Sequence, residues 1–354
     1  MKRLYSIVVV FSCMFSGGQV HSAESADAGQ KISSLFQSSA PLTLRIDAPF
    51  REINRHRGKN RPYSPATMEL ADFAGKMTQL DLEIRVRGNF RSDRENCKYP
   101  PLRLKLDKKS LKNTIFNGEN KLKLVVQCKD EDRYKQFLIL EYLNYKVLRL
   151  LTEYSLNVRL ARIDYYDSDN KQELGRRMAF FIEDTGRFAN RLNLEKLKVK
   201  RMDPGDYDPV QLRLVELFEF FIGNTDWSSI AGEKNDNCCH NIIPFKDRDG
   251  SVIPVPYDFD MTGVVNPSYA VVNPKLGINS VRQRLYRGQC QNDKILQSTI
   301  STFKSRQKEI YSLYENQTGL SPEIIKKTIK YYDDFFDIMQ KKERLKWNIL
   351  YKCR

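Results

Sequence analysis

The sequence predicts an α+β fold in two lobes, a β-rich N-terminal lobe holding one long helix and a mainly helical C-terminal lobe. Three observations predict it. Apolar and polar residues alternate in short runs over the first 130 residues, the period changes to three or four between Tyr134 and Leu151, and helical spacing dominates from Pro209 onward. A chain of 354 residues is also long for a single core.

Taken in order, Leu42 to Ile46 and Leu80 to Val86 alternate as strands, and the Arg-, Lys-, Asn- and Pro-rich stretch 51–66 between them reads as a loop. Leu102 to Leu106 and Lys121 to Val126 are the next strands. The helix from Tyr134 to Leu151 presents Phe137, Leu140, Leu143, Val147 and Leu150 on one face. Val158 to Tyr165 and Arg177 to Glu183 follow as strands around the turn Asp167-Ser168-Asp169-Asn170. Pro209 to Ile222 is an amphipathic helix, and the loop-rich stretch 223–288 holds the strands Asn241 to Phe245 and Val252 to Pro256. Asp293 to Ser312 and Pro322 to Tyr351 close the chain as helices, the second opened by Ser321 as N-cap and Pro322 at its first position.

The start of the chain reads as an address. Lys2 and Arg3, the apolar run Ile7 to Phe15 and the small residues Gly17, Gly18, Ser22 and Ala23 make residues 1–22 a cleavable secretory signal. Its apolar core is shorter than the roughly 20 residues that cross a bilayer. The expected product is exported, secreted or periplasmic, with no transmembrane segment in the mature chain. Residues 23–40, small and polar, form a flexible lead-in; 41–185 make the first lobe and 186–354 the second. Six of the seven cysteines remain after the signal, an even number that suits disulfides in an exported chain. Fifteen pairings are open; adjacent Cys238 and Cys239 are not expected to bond each other.

Charge and histidine content narrow the function. The formal net charge is +15, and removal of Lys2 and Arg3 leaves +13, which favours acidic partners such as acidic polymers or nucleotides. Of three histidines only His56 and His240 lie beyond the signal, which excludes a multi-histidine metal site. No G-x-S-x-G elbow accompanies them, so hydrolase chemistry loses its usual marks.

The chemistry-bearing residues cluster late. Gly223-Asn224-Thr225-Asp226-Trp227, His240-Asn241 and Tyr257-Asp258-Phe259-Asp260 place an Asp, an Asn and further Asp residues on loops. Hard oxygen ligands so arranged suit Mg²⁺ and the orientation of a hydroxyl for phosphoryl transfer. Upstream, Arg103 and Lys105 share the strand face opposite three leucines, and Glu141 sits on the apolar stripe of its helix, where a carboxylate needs a partner. A strand lysine paired with a helix glutamate is one way to hold donor phosphates.

With Arg87-Gly88-Asn89, Pro100-Pro101-Leu102-Arg103-Leu104-Lys105-Leu106 and the strand leading to Asp130 added, the chain resembles the CotH kinase-like family over residues 80–290. These are the spore coat protein H-like atypical protein kinases of secretory routes. The resemblance implies a two-lobed protein-kinase-like fold, ATP with Mg²⁺ or Mn²⁺, and phosphorylation of Ser or Thr in exported proteins or of another hydroxyl. It makes Asp226 catalytic, assigns Arg87, Lys105, Glu141 and Glu183 to the nucleotide, and makes Asn241 and Asp258 metal ligands. Asp260 rivals Asp258, and Lys123 is a second candidate for the place of Lys105. The chain departs from the family in having no G-x-G-x-x-G and in the wide separation of Asp226 and Asn241, where Ser228 to Cys239 reads as an insertion. The alternative is a catalytically inactive binding protein of the cell envelope or surface that keeps the scaffold and holds an acidic partner.

Overall fold

A computed structural model describes residues 32–233, 236–290 and 293–354. The expected signal segment lies outside the described residues. In chain order the elements are β1 (Leu42–Ala48), α1 (Phe50–Arg55), β2 (Ser64–Ala71), β3 (Met77–Val86), β4 (Leu102–Leu106), β5 (Lys121–Val126), α2 (Asp132–Leu151), β6 (Val158–Asp167) and β7 (Gln172–Ile182). Then come α3 (Thr185–Arg191), β8 (Glu195–Lys196), α4 (Pro209–Ile222), β9 (Ile242–Lys246), β10 (Val252–Pro256), α5 (Asp293–Glu315), α6 (Pro322–Gln340) and α7 (Lys342–Leu345).

The mixed α+β composition stands, but the two-lobed kinase-like architecture does not. The first seven strands close into a barrel of order β1-β2-β3-β4-β5-β7-β6. Closure comes from β1, which pairs with β2 antiparallel and with β6 in parallel from Leu42↔Ala161 to Ala48↔Asp167. Alternation in the sequence tells which face a residue takes and not which strand lies beside it, so the missing edge is invisible there. The strand β2 is also new, its Ala66, Met68 and Leu70 entering the barrel core from a stretch whose start reads as loop. Within the expected lead-in, Ser34–Phe36 forms a short 3-10 turn, and its Leu35 is buried in the same core.

Inward residues such as Ile46, Met68, Ile84, Leu104, Leu122 and Phe181 fill the barrel. Outward residues of β5 and β7, Val125, Phe180 and Ile182, join a second core built on α2, α4, α5 and α6. The helix α2 therefore packs between barrel and helices. A small sheet β10-β9-β8 lies against α4 through Ile253 and Val255, which share that second core. The expected final helix breaks after Gln340.

All six cysteines beyond the expected signal are bonded. Cys97 pairs with Cys128 and Cys290 with Cys353, while Cys238 bonds its neighbour Cys239, the pairing the sequence reading set aside. No helix among the described residues is long and apolar enough to cross a membrane. The disulfides fit a secreted protein.

Candidate functional site

The chain end of α4 begins the site. Gly223 caps that helix at φ +68°, and a Cβ there would collide with the Tyr331 hydroxyl and crowd the Gly263 backbone, so the tight turn calls for glycine. Asn224 then accepts the Asp226 backbone N–H at 2.9 Å, an Asx turn that aims the Asp226 side chain outward. Its partner Asn241 is 15 residues away, yet Ser228 bridges His240 in antiparallel fashion, with the Ser228 N–H donating to the His240 carbonyl at 2.9 Å. That bridge folds the insertion back. The Asn241 Nδ2 donates to the Asp226 carbonyl at 2.7 Å and to Oδ2 at 3.2 Å.

The strands β9 and β10 bring in the rest. The Tyr257 N–H donates to the Asn241 carbonyl at 3.0 Å, and the next residue, Asp258, donates its N–H to the Tyr145 hydroxyl of α2 at 2.9 Å. Both Asn241 (φ +55°) and Asp258 (φ +65°) sit in the left-handed region, which Asn and Asp enter more readily than other side chains. Such conformations cost free energy and gather at functional sites.

Below these loops Arg91 acts as a hub. It forms a two-pronged pair with Glu141 at 2.9 and 3.1 Å, lies 3.2 Å from Asp260 and 3.6 Å from Asp258. Arg91 comes from the loop between β3 and β4, which Cys97–Cys128 staples to the end of β5. Asp260 also accepts from the Tyr269 hydroxyl at 3.2 Å. Burial raises the carboxyls of Glu141 and Asp260, and Arg91 opposes that rise. The Asp258 carboxylate is different, with 41% of its side chain exposed against 10% for Asp260.

Asp226, Asn241, Asp258, Asp260, Arg87 and Arg91 line one cleft of about 650 Å³. Burial, with the neighbouring charges of Arg87 and Arg103 adding to it, pushes the Lys123 ammonium down to about 7. That ammonium lies 5.1 Å over the ring of Tyr257, another lining residue. Neither the Arg87 side chain nor that of Lys123 makes a hydrogen bond or ion pair among the described residues.

Two expected members lie elsewhere. Lys105 is on the exposed barrel surface paired with Glu83, so Glu141 has Arg91 as its partner in place of a strand lysine. Glu183 is committed to Asn157 at 2.8 Å and Arg191 at 3.0 Å and does not line the cleft. One site residue has no mark of its own in the sequence, and another stands in a motif there without a role. Arg91 stands in a loop with no periodicity, announced only by the buried Glu141 that requires a cation. His240 shares a 2.8 Å hydrogen bond between Nε2 and the Asp226 Oδ1, and that bond holds its imidazole above the usual pKa. Its adjacency to Asn241 was the available signal.

As a metal site the cleft offers few donors. Among the described residues no three His, Cys, Asp or Glu side chains form a cluster that could hold an ion. Glu233 and Asp236 of the insertion also line the cleft. Of the expected ligands, Asp258 and the Asn241 Oδ1, which accepts no hydrogen bond among the described residues, are the oxygens left over, because Arg91 and Tyr269 occupy Asp260. One carboxylate with one amide oxygen fits Mg²⁺ or Mn²⁺ when phosphates and water complete the shell.

Fold and site together define a mixed α+β protein with a cleft, lined by the β3–β4 loop and by the segments around β8, β9 and β10, that brings carboxylates and cations together. No protein-family model matches the sequence, and no curated protein matches it.

Proposed function

We propose that the cleft transfers the γ-phosphoryl group of ATP to a hydroxyl of an exported protein or another acceptor, the activity of a CotH-like atypical kinase. The observation that carries this reading is the meeting, in one cleft, of loosely held Asp258 and Asn241 oxygens, a histidine-partnered Asp226 and the unpaired Arg87, with Lys123 behind the lining ring of Tyr257.

Arg87 and Lys123 bind the phosphates. Lys123, held near neutrality, takes up a proton as the anion arrives, because a nearby negative charge favours its charged form. Asp258 and Asn241 are the residues that would hold Mg²⁺ or Mn²⁺, which supplies charge neutralisation on the phosphates. Asn241 and His240 orient Asp226. The acceptor oxygen forms a bond to the γ-phosphorus while giving its proton to Asp226, and the bond to the bridging oxygen breaks, so ADP leaves with the electron pair. Arg91, fixed by Glu141, steadies Asp260 and the loop that carries Asp258.

The test is transfer of labelled γ-phosphate from ATP with Mg²⁺ or Mn²⁺ to an acceptor protein mixture or to the chain itself. Transfer that vanishes in Asp226→Asn supports the reading. Transfer unchanged in both Asp226→Asn and Asp258→Asn overturns it.

A further inference from the structure

Outside the cleft, the barrel surface carries a row of like charges. Arg85 of β3 stands opposite Arg103 of β4, and Arg103 opposite Lys123 of β5. Like charges directly opposite on neighbouring strands repel. Little in the chain offsets them. Arg103 comes no nearer than 4.0 Å to Asp184, and the Arg85 guanidinium rests 4.6 Å over the Tyr63 ring and donates to the Arg61 carbonyl. Arg61 spends its donors on the carbonyls of Arg57, Gly58 and Gly88 and on the Ser92 hydroxyl. Lys59 is exposed and makes no ion pair among the described residues. The nearby Glu83 is already held by Lys105.

Lys59, Arg61, Arg85, Arg87 and Arg103 line one groove of about 610 Å³. It shares Arg87, Gly88 and Asn89 with the cleft, so the two are continuous. Only Arg87 and Lys123 of this cationic strip are needed for a nucleotide's phosphates. The remainder is Lys59 and three guanidinium groups, and guanidinium matches carboxylate in geometry as well as in charge.

We infer that the groove docks an acidic segment of the acceptor, with carboxylates across Lys59, Arg85 and Arg103, and so presents a hydroxyl past Arg87 to Asp226. The inference rests on the phosphoryl-transfer reading of the cleft and names its substrate class, a hydroxyl flanked by acidic residues. Electrostatic complementarity of this kind speeds encounter and selects partners.

The experiment uses the mature chain and short labelled peptides holding one serine in an acidic, a neutral or a basic context, with binding read by fluorescence anisotropy and neither nucleotide nor metal present. The acidic peptide binds, the others do not, and added salt weakens the binding because charges at a surface are screened. Arg85→Gln combined with Arg103→Gln weakens the acidic peptide by about tenfold or more, close to 1.4 kcal/mol. The exposed Lys59→Glu weakens it too and guards against a folding defect in the double variant. Arg176→Gln, a barrel cation already paired with Asp164, changes nothing. Equal binding of acidic and basic peptides, wild-type binding by the double variant, or a loss in that variant confined to ATP would overturn the inference. Intact acidic-peptide binding without phosphate transfer upholds the groove and counts against the cleft chemistry instead.

Discussion

Arg91 and Arg213 are both buried arginines facing carboxylates, and the contrast between their surroundings shows what marks a site in this molecule. Arg213 lies 3.4 Å from Glu216 and donates to the Tyr286 hydroxyl and to the Gln289 carbonyl at 3.0 Å. Glu216 in turn accepts from Tyr286 at 3.0 Å and from the Gln289 N–H at 2.8 Å. That network keeps Glu216 among protein donors and fastens α4 to the segment before Cys290, though the Arg213 Nε finds no partner in it. Arg91 instead divides one guanidinium among Glu141, Asp258 and Asp260, one of which faces solvent, while Arg87 and Lys123 wait beside it without acids. A buried ion pair alone is weak evidence of function. Pairing left incomplete at the wall of a cleft is the stronger sign.

The largest effect that would sharpen this contrast is catalytic. Asp226→Asn should lower phosphate transfer by about 10²- to 10⁴-fold, the usual contribution of a positioned base, while its melting temperature stays near that of the parent. Next come the two hubs themselves. Arg91→Met and Arg213→Met each strand buried carboxylates and should each cost about 3–5 kcal/mol in denaturant unfolding. Nucleotide binding measured on the folded protein should be lost only in the Arg91 variant, and equal loss in both would erase the distinction.

The two lysines offer a smaller test. Lys123→Met should weaken ATP binding and Lys105→Met should not. Because Lys123 is charged below about 7 and neutral above, anion affinity in the parent should fall several-fold as pH rises through that value. The Lys123 variant should lose that slope. The last effect concerns stability. Burial, partly offset by the Asn224 amide, pushes Glu219 up to about 8 and burial pushes Glu216 to about 7, both from an ordinary 4.5. The folded chain then holds protons that the unfolded chain has released, so stability falls as pH rises from about 5 to 8. Melting curves across that range should show it, with a shallower slope in Glu219→Gln.

Much of this was legible in the sequence, and the gaps have physical causes. Leu102–Leu106, Lys121–Val126, Pro209–Ile222 and Val252–Pro256 begin and end where the apolar period placed them. Local periodicity could not reveal that β1 pairs with β6, nor choose between Lys105 and Lys123, which alternate with leucines in the same way on adjacent strands. The convergence of Asp226 and Asn241 rests on the Ser228–His240 bridge, a pairing between two irregular segments with no pattern of their own. Glu141 did announce a buried partner, and only the loop between β3 and β4 could say that the partner is Arg91.

The measurement that bears most directly on the cleft is a calorimetric titration of ATP with Mg²⁺ into the mature chain and into Asp258→Asn. One binding site in the parent, weakened at least about tenfold in the variant, is the expected result. No binding in the parent, or equal binding in both, would contradict it.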